Sequence, residues 1–384
     1  MALLLALVAG VLAPAGTAVG GTTGGTTGGA TGATTGPVGG PLLGHVSAVS
    51  ELPAGVPAPP KLPAKGYLLA DLTTGQILVA RDVHRRMLPA STLKVLTALT
   101  LLPRLDQQAI YKARVADEDI DGSKVGIVAG STYTVRQLFL GMMLSSGNDA
   151  ANALANENGG VAATVREMQA EATQLGALDT TVNDPSGLDA PGQLSSAYDL
   201  ALFARAAMQR SDFRALVATR TAKFPGAIVK GKRGKGFQIQ NHNRMLTDYA
   251  GAIGVKNGYT VHAKWTYIGA ARRGGHTYLV TEIGLSEQGW GPAETMLTWA
   301  FKHGTQATPV GRLVAPGELA AAAAAAQAAA TSSAPAVAGA LASTGGAGSG
   351  VSPLQRWLGA AGLAAALAIL AVLGTGALRR RRTT

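Results

Sequence analysis

The chain contains no cysteine, which excludes a disulfide framework and any thiolate metal site. Charged side chains are scarce as well: they make up 14% of the 384 residues, against 47% hydrophobic, where ordinary globular chains carry about 25% charged residues. The shortage is local. No Asp, Glu, Lys or Arg precedes Glu51, and none lies between Leu319 and Gln355 or between Trp357 and Leu378. From Glu51 to Glu318 roughly 19% of positions are charged, which is close to a globular composition. A fully disordered chain and a polytopic membrane protein are therefore both excluded. Acidic residues are the scarcer sign, giving a net charge of +11. Part of that excess sits in Arg356 and Arg379 to Arg382, and the central segment remains basic without them. Aromatics are only 5%, and the basic run Arg220 to Lys235 holds a single one, Phe224. That stretch reads as a solvated hairpin with some attraction for anionic polymers, not as a nucleic-acid surface.

The two ends have different characters. Met1 to Leu12 is an apolar run followed by the small residues Ala13 to Ala18. This suits an export signal over residues 1–18, although the usual basic n-region is missing and a buried helix is the alternative. Residues 19–60 read as a Gly/Thr/Pro-rich tether, because GGTTGGTTGG offers almost nothing to bury against the entropy of ordering it. Toward the other end, residues 313–356 read as an Ala/Ser/Gly-rich linker. The 22 charge-free residues from Trp357 to Leu378 would span about 33 Å as a helix, against a hydrocarbon core of ~30 Å. Residues 379–384 then form a basic tail, which the positive-inside rule places in the cytoplasm, with the globular part outside. The expectation is a single-pass protein of the cell membrane. An alternative rests on Leu341-Ala342-Ser343-Thr344-Gly345, which is similar to the LAxTG sorting signal of some Gram-positive surface proteins and would join the chain to the wall.

Between these ends, residues 61–312 read as one folded domain. Two β-rich runs flank Thr73-Thr74-Gly75 in a hairpin signal. The pattern then turns helical from Ser91, again after Asn148, and from Tyr198 behind the capping pair Ser195-Ser196. Beyond Gly254 it becomes strand-like over 255–259, 265–270 and 277–283, and closes with a helix around 294–301. Strands at both ends with helices between them indicate an α/β fold whose terminal strands share one sheet.

Ser91 and Lys94 are three residues apart at a helix start, so their side chains lie on one face within reach of each other. A serine hydroxyl is a poor nucleophile until a base takes its proton, and a lysine that burial and neighbouring cations keep uncharged can be that base. By itself S-x-x-K is weak evidence. The three motifs Ser91-Thr92-Leu93-Lys94, Ser146-Gly147-Asn148 and Lys256-Asn257-Gly258, in that order and spacing, resemble the motif set of the penicillin-binding proteins and serine β-lactamases. The wider strings around them, with Asn183-Asp184-Pro185-Ser186-Gly187-Leu188, are similar to low-molecular-mass serine D-alanyl-D-alanine carboxypeptidases.

That resemblance implies a β-lactamase/transpeptidase-like fold: an antiparallel sheet of N- and C-terminal strands with a helical subdomain inserted. It implies that Ser91 attacks the penultimate D-Ala carbonyl of a peptidoglycan stem peptide, with Lys94 as general base and Ser146 relaying a proton to the departing D-Ala. Asn148 would bond the substrate backbone and Lys94. Lys256, Asn257, Gly258 and Tyr259 would bind substrate, with the Ser91 and Tyr259 backbone N–H groups as the oxyanion hole. β-Lactams would be covalent inhibitors. Asn257 stands where the family more often has Thr, and the β-rich second domain of larger members is not expected here. Two alternatives remain: a class A-like β-lactamase, against which no Glu-x-x-Leu-Asn string occurs, and a sensor that is acylated without turnover. The six histidines show no metal spacing, and no metal or cofactor is expected. The turn-rich loop Asn183 to Gly192 reads as structural in preference to contacting substrate.

Overall fold

The computed structural model describes residues 36–332. The signal expected over 1–18, the sorting string Leu341 to Gly345, the span 357–378 and the tail 379–384 lie outside the described residues. Among the described residues no helix is long and apolar enough to cross a membrane.

One six-stranded sheet organises the domain. Its strands are β1 (Gly66–Asp71), β2 (Gln76–Arg81), β3 (Ala252–Thr260), β4 (Lys264–Arg273), β5 (His276–Leu285) and β6 (Gly311–Arg312), in the order β6-β2-β1-β5-β4-β3, and every neighbouring pair is antiparallel. Strands from both ends of the domain thus lie side by side, and β3 is an edge. An edge strand presents unpaired N–H and C=O groups along its free side.

Both faces of the sheet are covered, so β1 is buried at alternate residues on both sides. Leu68 and Ala70 face the larger core, which is formed with the inserted helices; Tyr67 and Leu69 face the smaller one. The insertion includes α1 (Lys94–Leu101), α2 (Val135–Leu144), α3 (Asn148–Glu157), α4 (Val161–Gln174) and α5 (Ala197–Gln209). The smaller core is closed by α6 (Trp290–His303), which contributes Ala293, Met296, Leu297 and Ala300. Ser196 caps α5 by accepting from the Asp199 N–H at 3.2 Å, as expected of that position. In α2, Thr134 and Gln137 form a capping box.

All eight residues of α1 are buried. A helix that is apolar on nearly every side belongs in the middle of a core. Its one charged residue, Lys94, is therefore carried into the interior by its neighbours, each buried leucine contributing about 1.5–3 kcal/mol to that placement.

The packed unit extends past both composition boundaries. Residues 36–60 were expected to belong to the tether, yet Leu43 is buried against Gly311, Val49 bridges Ala80, and Glu51 bridges Thr308. Pro57 accepts a hydrogen bond from the Trp299 indole at 2.8 Å. At the other boundary Leu313 and Val314 are buried, and the alanine run continues as a helix, α7 (Glu318–Ser332). A few apolar residues spaced among Gly and Pro suffice for this packing, because the sheet edge and α5 supply the partners. The basic stretch Arg220 to Lys235 folds as short antiparallel pairs, 221–224 with 237–240 and 228–229 with 232–233, and its cations are exposed.

Candidate active site

Ser91 lies in a 3₁₀ turn, Ala90–Leu93, which runs directly into α1 at Lys94. The preceding Ala90 is held at φ 48°, a left-handed conformation that a side chain rarely adopts. The loop across from it explains why this conformation persists. Gly187 packs against the Ala90 carbonyl so closely that an added Cβ would lie 2.0 Å from the oxygen. Ser146 is also left-handed, at φ 58°, in the turn between α2 and α3, and it is buried. Next to it Gly147 has no room for a side chain, since a Cβ would meet Asp149 Oδ1 at 2.6 Å. Asp149 in turn accepts from the N–H groups of Val125, Gly126 and Ile127 at 2.8 to 3.0 Å, fixing the loop over the start of α3.

Lys94 Nζ is the hub. It donates to Ser91 Oγ at 2.9 Å, to Asn148 Oδ1 at 2.7 Å and to the Ser186 carbonyl at 2.5 Å. Burial, and then the nearby Lys256 ammonium, hold its pKa well below the ordinary lysine range. That shift moves Lys94 toward the uncharged amine that base chemistry requires. Asn148 is oriented from both sides, because its Nδ2 donates to the Asp121 carbonyl at 2.7 Å. Lys256, on β3, is buried too, and burial pushes it down to about 7; its Nζ donates to the Asn257 carbonyl at 2.9 Å.

Side chains alternate along β3. Gly258 faces the nucleophile turn, where an added Cβ would lie 2.7 Å from Ser91 N and 3.0 Å from Thr92 N. Thr266, its ladder partner on β4, donates to the Pro89 carbonyl at 2.8 Å and so clamps the turn to the sheet. Asn257 and Tyr259 point to the other face, opposite Tyr267 and Trp265. Tyr259 is half exposed and packs on Trp265, with ring centroids 4.7 Å apart. The Asn257 Oδ1 is buried and has no hydrogen-bond partner among the described residues.

The glycine constraint makes a direct prediction. Gly258→Ala forces β3 away from the Ser91 turn, and a displacement of that size at a reacting centre costs on the order of 10²-fold in rate. Turnover that stays at the parental level in the purified G258A protein would show that the strand need not approach Ser91 so closely.

A family model described as D-alanyl-D-alanine carboxypeptidase, peptidase S11, matches residues 54–283. The chain belongs to this family. D-alanyl-D-alanine carboxypeptidase DacB2 of Mycobacterium tuberculosis is 43% identical over 269 residues, covering 68% of this chain and 90% of that protein. DacF of Bacillus subtilis is 30% identical, and the chain spans 62% of its length. Among solved structures, a D-alanyl-D-alanine carboxypeptidase from M. tuberculosis aligns with a TM-score of 0.63 at 41% identity, covering 69% of this chain and all of that one. A mutant of the Streptomyces K15 DD-transpeptidase aligns with a TM-score of 0.61 at 30% identity, covering 63% and 99%. The transpeptidase/β-lactamase-like fold expected from the motifs is the fold of these S11 peptidases.

Residues of the three motifs meet in this chain: Lys94 bonds to Ser91 and to Asn148, and Gly258 packs against the Ser91 turn. One part of the site was not read from sequence. The loop Asn183 to Gly192 was expected to serve structure in preference to substrate contact, and it does so inside the site: its Ser186 carbonyl accepts from Lys94, and its Asp189 takes a hydrogen bond from Thr260 on β3 at 2.8 Å. The signal was present in Asp184, whose carboxylate accepts from Ser186 N and Leu188 N and shapes the turn. Among the described residues no group of three or more His, Asp or Glu side chains is placed to hold a metal ion.

Proposed function

We propose that the chain is a serine-type D-alanyl-D-alanine carboxypeptidase that removes the terminal D-Ala of peptidoglycan stem peptides and is acylated by β-lactams. One observation carries this reading: a buried Lys94 amine with a depressed pKa, 2.9 Å from Ser91 Oγ, in a chain of the S11 family.

The steps follow from that geometry. Lys94 Nζ takes the Ser91 proton as Oγ bonds to the penultimate D-Ala carbonyl carbon. The negative charge gathering on the carbonyl oxygen meets the N–H groups of Ser91 and Tyr259, and Gly258 leaves room for that approach. The substrate lies along the free edge of β3, with Asn148 toward its backbone and Lys256 toward its terminal carboxylate. The C–N bond then breaks, the departing D-Ala nitrogen takes a proton through Ser146, and an ester on Ser91 remains. Water, deprotonated by Lys94, cleaves the ester. A β-lactam ring opens in the same first step but leaves no departing fragment, so its ester persists.

Release of D-Ala from a diacyl-Lys-D-Ala-D-Ala peptide tests the proposal. The expected result is steady turnover with little nitrocefin hydrolysis; fast nitrocefin turnover would instead favour a β-lactamase, and labelling by penicillin without turnover a sensor. We further propose that residues 1–18 export the chain and that 357–378 anchors it in the cell membrane with the catalytic domain outside. The charge-free run ahead of four arginines supports this, and cleavage at Thr344 with attachment to the wall is the competing outcome.

A further inference from the structure

Between Asp212 and Asp248 the chain has no Asp or Glu but eight Lys and Arg residues. Most of them lie on the hairpin whose base pairs Thr221–Phe224 with Phe237–Gln240 and whose tip pairs Ile228–Val229 with Lys232–Arg233. Lys230 and Gly231 close the tip at φ 48° and 75°, the left-handed pair of a two-residue hairpin turn. The tip is fastened to the domain. Ile228 N donates to Ser131 Oγ at 2.8 Å, and the Arg233 guanidinium donates to the Gly226 carbonyl at 3.1 Å and to the Thr132 carbonyl and hydroxyl at 2.9 and 2.8 Å. The base is fastened to the site. Its second strand runs on to His242, whose N–H donates to the Leu144 carbonyl at 3.0 Å, at the end of α2 just before the Ser146 turn. The hairpin is thus a rigid projection from the rim of the catalytic site.

With Arg233 turned inward, Arg220, Lys223, Lys230, Lys232 and Lys235 remain exposed. The ion pairs Arg210 with Asp212 and Arg244 with Asp248 flank this run, and none forms within it among the described residues. A fixed array of like charges collects counterions, and a linear polyanion that displaces them gains their release. The side chains around the cations narrow the partner. An anionic lipid surface asks for an apolar face that enters the interface, and the tip offers Val229 alone. Nucleic-acid bases ask for free aromatic rings, whereas Phe237 packs on Phe224 with ring centroids 5.7 Å apart. Carboxylates are matched best by the arginine fork, and the tip's fork is engaged with Thr132. Lysine ammoniums are compact point charges that suit phosphate oxygens in any orientation. We propose that this hairpin is a docking surface for a linear, phosphodiester-linked wall polymer, which it holds beside the rim of the catalytic site. The inference goes beyond the carboxypeptidase reading and does not depend on the chemistry at Ser91.

The test titrates poly(glycerol phosphate) into the full chain, held in a neutral detergent, over a series of salt concentrations. The logarithm of affinity is expected to fall with the logarithm of salt at a slope of about −3, roughly 0.7 for each of about four contacts to a single-stranded polymer. Lys230→Gln combined with Lys232→Gln should make that slope shallower by roughly 1.4. Lys61→Gln combined with Lys302→Gln removes the same charge from exposed positions elsewhere on the domain and should leave the slope unchanged. All four side chains are exposed, so both variants keep the packing, and D-Ala release from the small diacyl-peptide should match the parent in each. Equal losses of polymer binding in the two variants would assign the effect to net charge and overturn the proposal. Absence of polymer binding by the unaltered chain overturns it too, as does a hairpin-dependent preference for phosphatidylglycerol over neutral vesicles without polymer binding. Each of these outcomes leaves the carboxypeptidase reading to its own assay.

Discussion

Replacing Ser91 by Ala is expected to abolish D-Ala release and covalent labelling by fluorescent penicillin together. In serine hydrolases, loss of the nucleophile alone costs about as much as loss of the whole catalytic group, of order 10⁴- to 10⁶-fold. The structure gives reason to expect that the rest of the site survives the change. Lys94 Nζ keeps its bonds to Asn148 and Ser186, and the turn is held by Thr92 and Thr266 on the Pro89 carbonyl. Ser91 is only partly buried, so removing one oxygen leaves little cavity. The melting transition of S91A should therefore lie close to the parental one. Persistent labelling or D-Ala release in a folded S91A protein would move the nucleophile elsewhere and sink the assignment.

Lys94→Met should be nearly as damaging to turnover, since a positioned general base is worth about 10²- to 10⁴-fold and acyl-enzyme formation as well as hydrolysis draws on it. Its second effect is on the pH dependence of stability. Both Lys94 and Lys256 have folded pKa values below the ordinary lysine value, chiefly through burial. As pH falls below about 10, the unfolded chain takes up protons on these lysines. The folded chain does so only near its lowered values, for Lys256 about 7. Stability therefore rises with pH between those limits, by about 1.4 kcal/mol per pH unit for each lysine that is still unprotonated in the fold. Removing Lys94 should reduce that slope, because its folded pKa lies well below its unfolded one. Urea denaturation between pH 7.5 and 9.5 measures it directly, and equal slopes for K94M and the parent would mean that the lysine is charged in the folded state. The same titration governs rate: acylation should fall with falling pH as Lys94 gains its proton.

The chemistry of the site was readable before the fold because it depends on local spacing. Ser91 and Lys94 are one helical turn apart, and Ser146 and Asn148 flank a glycine at a helix start, so short strings fix their geometry wherever the helices lie. The sheet was readable for a similar reason: β1, β2 and the three long C-terminal strands alternate or run apolar between clear turns. What sequence did not show comes from contacts without periodicity. The Ser186 carbonyl enters the site as backbone, and any residue type would present the same group. Asn243 is held by the Tyr267 hydroxyl, a contact across 24 positions. Leu43 and Val49 sit among glycines and prolines, where composition predicts a tether. Only the groove between β6, β2 and α5 turns them into core.

That N-terminal segment has a mechanical meaning. Gly39 O accepts from Arg312 N at 2.9 Å, the Tyr198 hydroxyl donates to the Arg312 carbonyl and accepts from Val314 N, and the Arg312 guanidinium pairs with Glu318. The two points where the chain enters and leaves the domain are thus knotted together on one rim, joined by β6 at the end of the sheet opposite β3. A load applied between the two flanks would therefore fall in shear on these hydrogen bonds, at the sheet edge farthest from β3.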